Sequence, residues 1–172
     1  MITRFKKDKI SHTIETLSGN FVIKIIIDNR KGHAIIMTKI FNNNNYYIDE
    51  NSGKSDLFGN LPDMKIIYTK DTAVIAGIKC HRAIVTSTDS LLKSFNVYFT
   101  KHIKLFKPNR KIMYDEIDGI LFDFYAYFFN MNMHFRASKF NETDVPDSEF
   151  IVPSDYKLIT LESLNKITSI IE

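Results

Sequence analysis

Residues 21–40 read Phe-Val-Ile-Lys-Ile-Ile-Ile-Asp-Asn-Arg-Lys-Gly-His-Ala-Ile-Ile-Met-Thr-Lys-Ile, and this stretch decides the fold. Two runs rich in Cβ-branched residues flank Asn29-Arg30-Lys31-Gly32, where the glycine is free to take the positive φ of a tight turn. Such side chains suit a pleated surface, so the stretch reads as an antiparallel hairpin. Alternation along it puts Ile23, Ile25, Ile27 and Ile36 on one face and Val22, Ile26, Ile35 and Met37 on the other. Both faces are apolar. A sheet wetted on one side needs only one apolar face, so something covers the second: a helix, a partner or a hydrophobic ligand.

Working outward, strand-like runs separated by turn chemistry occupy most of the chain: 11–18, 46–49, 64–70, 78–86, 92–99 and a long aromatic hairpin over 119–140. The four asparagines Asn42 to Asn45 read as a polar loop tip, 50–63 as the longest irregular stretch, and 145–153, with two prolines, as an edge or irregular segment. Only the end reads as helix, with Thr160 as cap and Leu161, Leu164, Ile167 and Ile171 at helical spacing. Composition agrees: 25 Ile and 22 Phe plus Tyr stand against 10 Leu and 6 Ala, a balance that disfavours helix. With 172 residues and no internal repeat, the expectation is a single, mainly β domain over 1–172: a curved antiparallel sheet, an incomplete half-open barrel, with a short C-terminal helix.

Charge and cysteine usage narrow the function classes. A net charge of +3 is too mild for a nucleic-acid surface, so no nucleic-acid partner is expected. The single cysteine, Cys80, excludes an intramolecular disulfide and a Cys-rich zinc site. The five histidines have no metal-ligand spacing, so neither metal nor cofactor is expected. The longest apolar runs fall far short of a membrane span, and the first residues lack the apolar core of a signal peptide. The basic stretch Lys101, His102, Lys104, Lys107, Arg110 and Lys111 interleaves Ile103, Leu105 and Phe106, and reads as a loop laying lysine stems over apolar surface.

Face assignment yields the candidate sites. Pairing 122–128 with 133–139 sets Tyr127 opposite His134 and Tyr125 opposite Arg136. Phe122, Phe124, Ala126, Phe128, Met133, Phe135 and Ala137 then form a core face, with Asp123, Tyr125, Tyr127, His134 and Arg136 on the other. In the 78–99 hairpin, Ile78, Cys80, Ile84, Phe95, Val97 and Phe99 are assigned to one face, and Lys79, His81, Asn96 and Tyr98 to the other. Arg82 falls on the apolar face, which marks a bulge or a cation resting on Phe95. Cys80 and His81 point to opposite faces and cannot form a thiol–imidazole dyad; Cys80 reads as a small buried hydrophobe. No nucleophile or metal joins the polar set, so no enzyme is expected and there are no catalytic candidates. The candidate ligand-binding residues are Val22, Ile26, Ile35 and Met37, together with Tyr125, Tyr127, His134 and Arg136.

At Ala76-Gly77-Ile78-Lys79-Cys80-His81-Arg82-Ala83-Ile84-Val85-Thr86 the chain resembles an uncharacterised envelope-protein family of Gram-negative bacteria. Members of that family carry an Ile-x-Gly-Tyr-x-Cys-x-Lys-Ala stretch. Val97-Tyr98-Phe99-Thr100, Ile117-Asp118-Gly119-Ile120-Leu121 and the close 147–157, Asp-Ser-Glu-Phe-Ile-Val-Pro-Ser-Asp-Tyr-Lys, match its later segments. Ile78 replaces the usual Tyr and Arg82 the usual Lys. A related group, the GLPGLI-type proteins, shares the Cys segment, but its name-giving motif does not occur here. The resemblance implies a lipoprotein-carrier-like half-barrel in the periplasm or envelope, with one or two strands ahead of residue 1. It implies a non-enzymatic protein that binds a hydrophobic or lipid-like molecule on a concave face. The alternative is a protein-interaction or self-association module using the same apolar surface.

Overall fold

The computed structural model describes residues 1–15, 19–51, 64–87, 94–128 and 131–169. The protein is mainly β; the described residues form two sheets and one short α-helix, Leu161–Thr168 (α1), near the C-terminus. Neither sheet closes into a barrel among the described residues. The chain forms two compact units, one from 1–53 with 144–172 and the other from 54–143.

The first unit holds β1 (Ile2–Lys6), β2 (Lys9–Glu15), β3 (Phe21–Asp28), β4 (His33–Ile40) and β5 (Asn43–Asp49). These run antiparallel in chain order, and a two-residue strand, β11 (Lys157–Leu158), joins β5 in parallel. The deciding hairpin is present: Ile25 faces Ile36, Ile26 faces Ile35, and Gly32 turns the chain at φ 75°. Asp28 holds that turn, its Oδ1 accepting from the backbone N–H of Arg30 at 3.1 Å and of Lys31 at 3.0 Å. Three readings change here. Residues 2–6 form a strand that their mixed polarity concealed, turned into β2 at Lys7 with φ 54°. The asparagine run is not a loop tip: Asn43 to Asn45 start β5, because Asn45 pairs with Thr38 on one side and Lys157 on the other. The turn is instead Phe41-Asn42, with Phe41 at φ 51°. The strand expected at 11–18 begins at Lys9 and its last three residues lie outside the described residues.

The second unit holds β6 (Met64–Ile75), β7 (Ile78–Ser87), β8 (Phe95–Thr100), β9 (Ile120–Phe128) and β10 (Met131–Arg136), in the order β10-β9-β8-β7-β6. Two bulges set its side-chain faces. In β6, Tyr68 pairs with Ala83 and Thr72 with His81, so Thr69, Lys70 and Asp71 together oppose Arg82. The bulge that Arg82 signalled therefore lies in the neighbouring strand, and its Asp71 carboxylate accepts from Arg82 Nη1 at 2.8 Å. In β9, Tyr98 pairs with Asp123 but Phe99 pairs with Leu121, which leaves Phe122 as the extra residue.

The expected faces of this sheet need correcting, in β9 because of its bulge and between β7 and β8 because their register lies one residue from that expected. Phe122 leaves the company of Phe124 and packs with Cys80, Ile75 and Ile120, while Phe124 joins Val97, Phe99 and Tyr114. Cross-strand pairing puts His81 with Phe99, Arg82 with Tyr98, Ala83 with Val97 and Ile84 with Asn96. Ile78, Cys80, Arg82 and Ile84 therefore share the face of Asn96 and Tyr98, whereas Lys79 and His81 share that of Phe95, Val97 and Phe99, the reverse of the expected assignment. Arg82 does not lie on the face of Phe95. Cys80 is fully buried, although among a different set of neighbours from that expected. Irregular residues 101–119 pack onto both clusters: Ile103 and Leu105 onto the first, Met113, Tyr114 and Ile117 into the second. Lys101, His102, Lys104 and Lys107 stay exposed, as a loop covering apolar surface would place them, whereas Lys111 is buried.

Candidate functional site

The second apolar face of the 21–40 hairpin is organised by register. Directly opposed residues share a face, so one row across the sheet reads Arg4, Ser11, Ile26, Ile35, Ile48. The next reads Ile2, Thr13, Lys24, Met37, Tyr46. The face is therefore polar and cationic over β1–β3 and apolar over β3–β5. Lys24 sits at the border.

The chain's own returning segment covers this face. Its one-turn 3-10 helix, Asp147–Phe150, inserts Glu149 over the polar half and Phe150 over the apolar half. Glu149 Oε1 accepts from Ser11 Oγ at 3.0 Å and lies 3.0 Å from Lys24 Nζ and 3.5 Å from Arg4 Nη1. Burial alone would raise the Glu149 carboxyl; the hydrogen bonds from Lys24 and Ser11 and the charges of Lys24 and Arg4 outweigh it and hold the group below the usual carboxylate range. Phe150, Ile26 and Met37 form a buried cluster, with Ile35, Tyr46, Val145, Val152 and Tyr156 packed against it. Lys6 ties the segment's start, donating to the Val145 carbonyl at 2.7 Å and lying 3.2 Å from Asp147 Oδ1. Beyond it, Asn44 Nδ2 donates to Asp155 Oδ2 at 2.6 Å, and Ile159 N to the Tyr46 carbonyl at 2.9 Å.

Of the candidates on this face, Ile26 and Met37 are buried and Val22 and Ile35 half-buried. The cover that the two-faced hairpin required is thus a segment of the same chain. Sequence reasoning missed Arg4, Ser11, Lys24 and Glu149. Lys24 carried a signal, since Val22-x-Lys24-x-Ile26 places a lysine on an otherwise apolar face.

The other four candidates lie in the second unit. Asp123 is buried, and its carboxylate is gripped from both sides: His134 Nε2 is 2.6 Å from Oδ1, and Arg136 Nη1 donates to Oδ2 at 3.0 Å. Tyr125 stacks on His134, centroids 4.4 Å apart and planes 13° from parallel, with its ring edge-on to Phe95. The expected pairing is displaced by two residues: His134 opposes Tyr125, Arg136 opposes Asp123, and Tyr127 opposes Asn132. In this register Phe128 already pairs with Met131. An even shift preserves the faces, so His134 still lies opposite in sense to Phe135, whose ring packs 5.5 Å from Phe124. The Tyr127 side chain lies outside the described residues.

Arg82, Tyr98, Asp123 and Arg136 form one row across four strands of this sheet, and Arg82 Nε donates to Asn96 Oδ1 at 3.0 Å. The arrangement is a hydrogen-bonded ionic surface with half-exposed aromatic rings. The Cys80 thiol is pushed up to about 11, chiefly by burial. No helix among the described residues is long and apolar enough to cross a membrane. Comparison with protein families, with curated proteins and with solved structures finds no match for the chain.

Proposed function

We propose that the protein is a non-enzymatic component of the bacterial envelope that binds a hydrophobic or amphipathic molecule on the face of Val22, Ile26, Ile35 and Met37. The observation that carries the reading is the nature of the cover. From Asp144 to Tyr156 the returning segment meets the sheet without strand pairing, which begins only at Lys157. Lifting those residues sacrifices no sheet ladder and uncovers apolar side chains of Ile26, Ile35, Met37 and Tyr46 that a ligand would bury again. The resemblance of residues 76–86 and 147–157 to the envelope family points the same way.

Titration with an environment-sensitive fatty-acid probe tests it. The probe should bind, more tightly to Phe150→Ala than to the parent, and Ile35→Asp should abolish uptake while the circular dichroism spectrum is retained. Absence of binding to both parent and Phe150→Ala would show that the face is ordinary core.

A second reading, an interaction module, is favoured by β6. Among the described residues that strand pairs on one side only, and Ile67 and Val74 on it are 44% and 72% exposed. Concentration-dependent self-association, lost in Val74→Lys, would support it.

A further inference from the structure

The pairing of Glu149 with Phe150 on the two halves of one face identifies a ligand class. The geometry points to an anionic amphiphile, a single carboxylate or phosphate headgroup on an apolar chain, as the occupant, with its headgroup taking the place of the Glu149 carboxylate among Arg4, Ser11 and Lys24. This inference rests on the proposed apolar-ligand function and names the chemistry of its ligand.

The two halves of the face match the two ends of such a molecule. A purely apolar ligand would leave Lys24 without its carboxylate partner beneath the ligand, and a buried lysine without a counter-charge is costly. Lys24 and Glu149 are both largely shielded, at 19% and 17% side-chain exposure, so whatever displaces Glu149 must replace its charge. Arg4 and Ser11 converge on the same oxygen, which makes the position an anion site with three donors from three adjacent strands. The apolar half begins one residue further on, where Phe150 packs with Ile26 and Met37. Adjacent residues of the returning segment thus present a carboxylate and an apolar group in the order in which an amphiphile presents head and chain. The segment acts as an internal competitor.

The test compares two probes that share a fluorescent acyl chain, one ending in a carboxylate and the other in an alcohol. Full-length parent protein, Glu149→Gln and Lys24→Gln are titrated with each at neutral pH. The acid should bind the parent at least about tenfold more tightly than the alcohol, a gap typical of one charge-assisted contact. Glu149→Gln should strengthen acid binding by freeing the cations, and Lys24→Gln should erase the preference for acid. Hydrogen exchange supplies a readout on the unmodified chain: the acid, and not the alcohol, should deprotect the backbone amides of 145–152. Equal binding of the two probes, unmoved by Lys24→Gln, would overturn the anion site and leave the apolar reading standing. Failure of both probes to bind the parent and Glu149→Gln would overturn both.

Discussion

Lys24 Nζ lies 3.0 Å from Glu149 Oε1, a contact between residues far apart in sequence that fastens the returning segment to the middle of the first sheet. Because the Glu149 carboxyl is held below its ordinary value, the unfolded chain takes up its proton first as pH falls. The stability this group contributes is therefore complete above the unfolded value of about 4.5 and lost as pH falls through the folded one. Glu149→Gln should lower stability at pH 7 by about 1–3 kcal/mol, the range for a partly buried charge-assisted bond, and should flatten the acid limb below that value. Urea denaturation at pH 7 and pH 4 reads both effects.

His12 supplies a second, separable pH dependence. Its Nδ1 lies 3.0 Å from Thr3 Oγ1, it faces Ile25 across the strands, and burial pushes the imidazole down to about 4 from 6.5. Between those two values the unfolded chain binds the extra proton, so stability rises with pH across this window. The full difference is at most about 3.5 kcal/mol by linkage, since each pKa unit is worth about 1.4 kcal/mol. His12→Gln should remove the dependence between pH 6.5 and 4 while leaving the Glu149 limb in place. A variant that keeps the whole slope would show that another group carries it.

Cys80 should be inert in the native protein. Its side chain is fully buried with Ile75, Ile120 and Phe122, its thiol is pushed up to about 11, and it donates weakly to the Ile78 carbonyl at 3.5 Å. Labelling with a maleimide should be slow without denaturant and rapid with it. Cys80→Ala should cost about 1 kcal/mol or slightly more, as small core truncations do. Fast native labelling would contradict the burial.

The parts legible in the sequence were those set by local alternation. The hairpin at 21–40, the Thr160 cap, whose Oγ1 accepts from Ser163 N at 3.2 Å, and the opposed faces of His134 and Phe135 all follow from period and turn chemistry. What failed was phase between segments. The extra residue at Phe122 resets the alternation within β9, where a bulge leaves no reliable mark in a single sequence, and β7 pairs with β8 one residue out of the expected register. Asn43 to Asn45 were misread for a different reason, since poor strand formers were overridden by pairing with β4, and at Asn45 with β11 as well. The anion position among Arg4, Ser11 and Lys24 was beyond reach because it depends on which distant segment returns to cover the face.

Gly119 shows how closely that second-unit packing is fixed. A Cβ at this position would stand 2.6 Å from Phe99 Cδ2 and 2.7 Å from the Thr100 carbonyl oxygen. The aromatic ring is itself buried in the cluster with Val97 and Tyr114, and the carbonyl belongs to β8, so neither can retreat cheaply. The Gly119 carbonyl is anchored as well, accepting from Asn109 Nδ2 at 2.9 Å, while the same amide donates to the Ile117 carbonyl at 2.7 Å. Gly119→Ala must therefore push β9 away from β8 or strain the Asn109 bridge, and overpacking of this kind costs about 1–3 kcal/mol. Asn109→Ala should cost a comparable amount for another reason, because it leaves two carbonyls without their donor in a buried setting. The two losses share one bridge, so the double variant should fall short of their sum. Denaturant midpoints of the two single variants and the double variant measure this coupling, and strict additivity would show that Gly119 and Asn109 act independently.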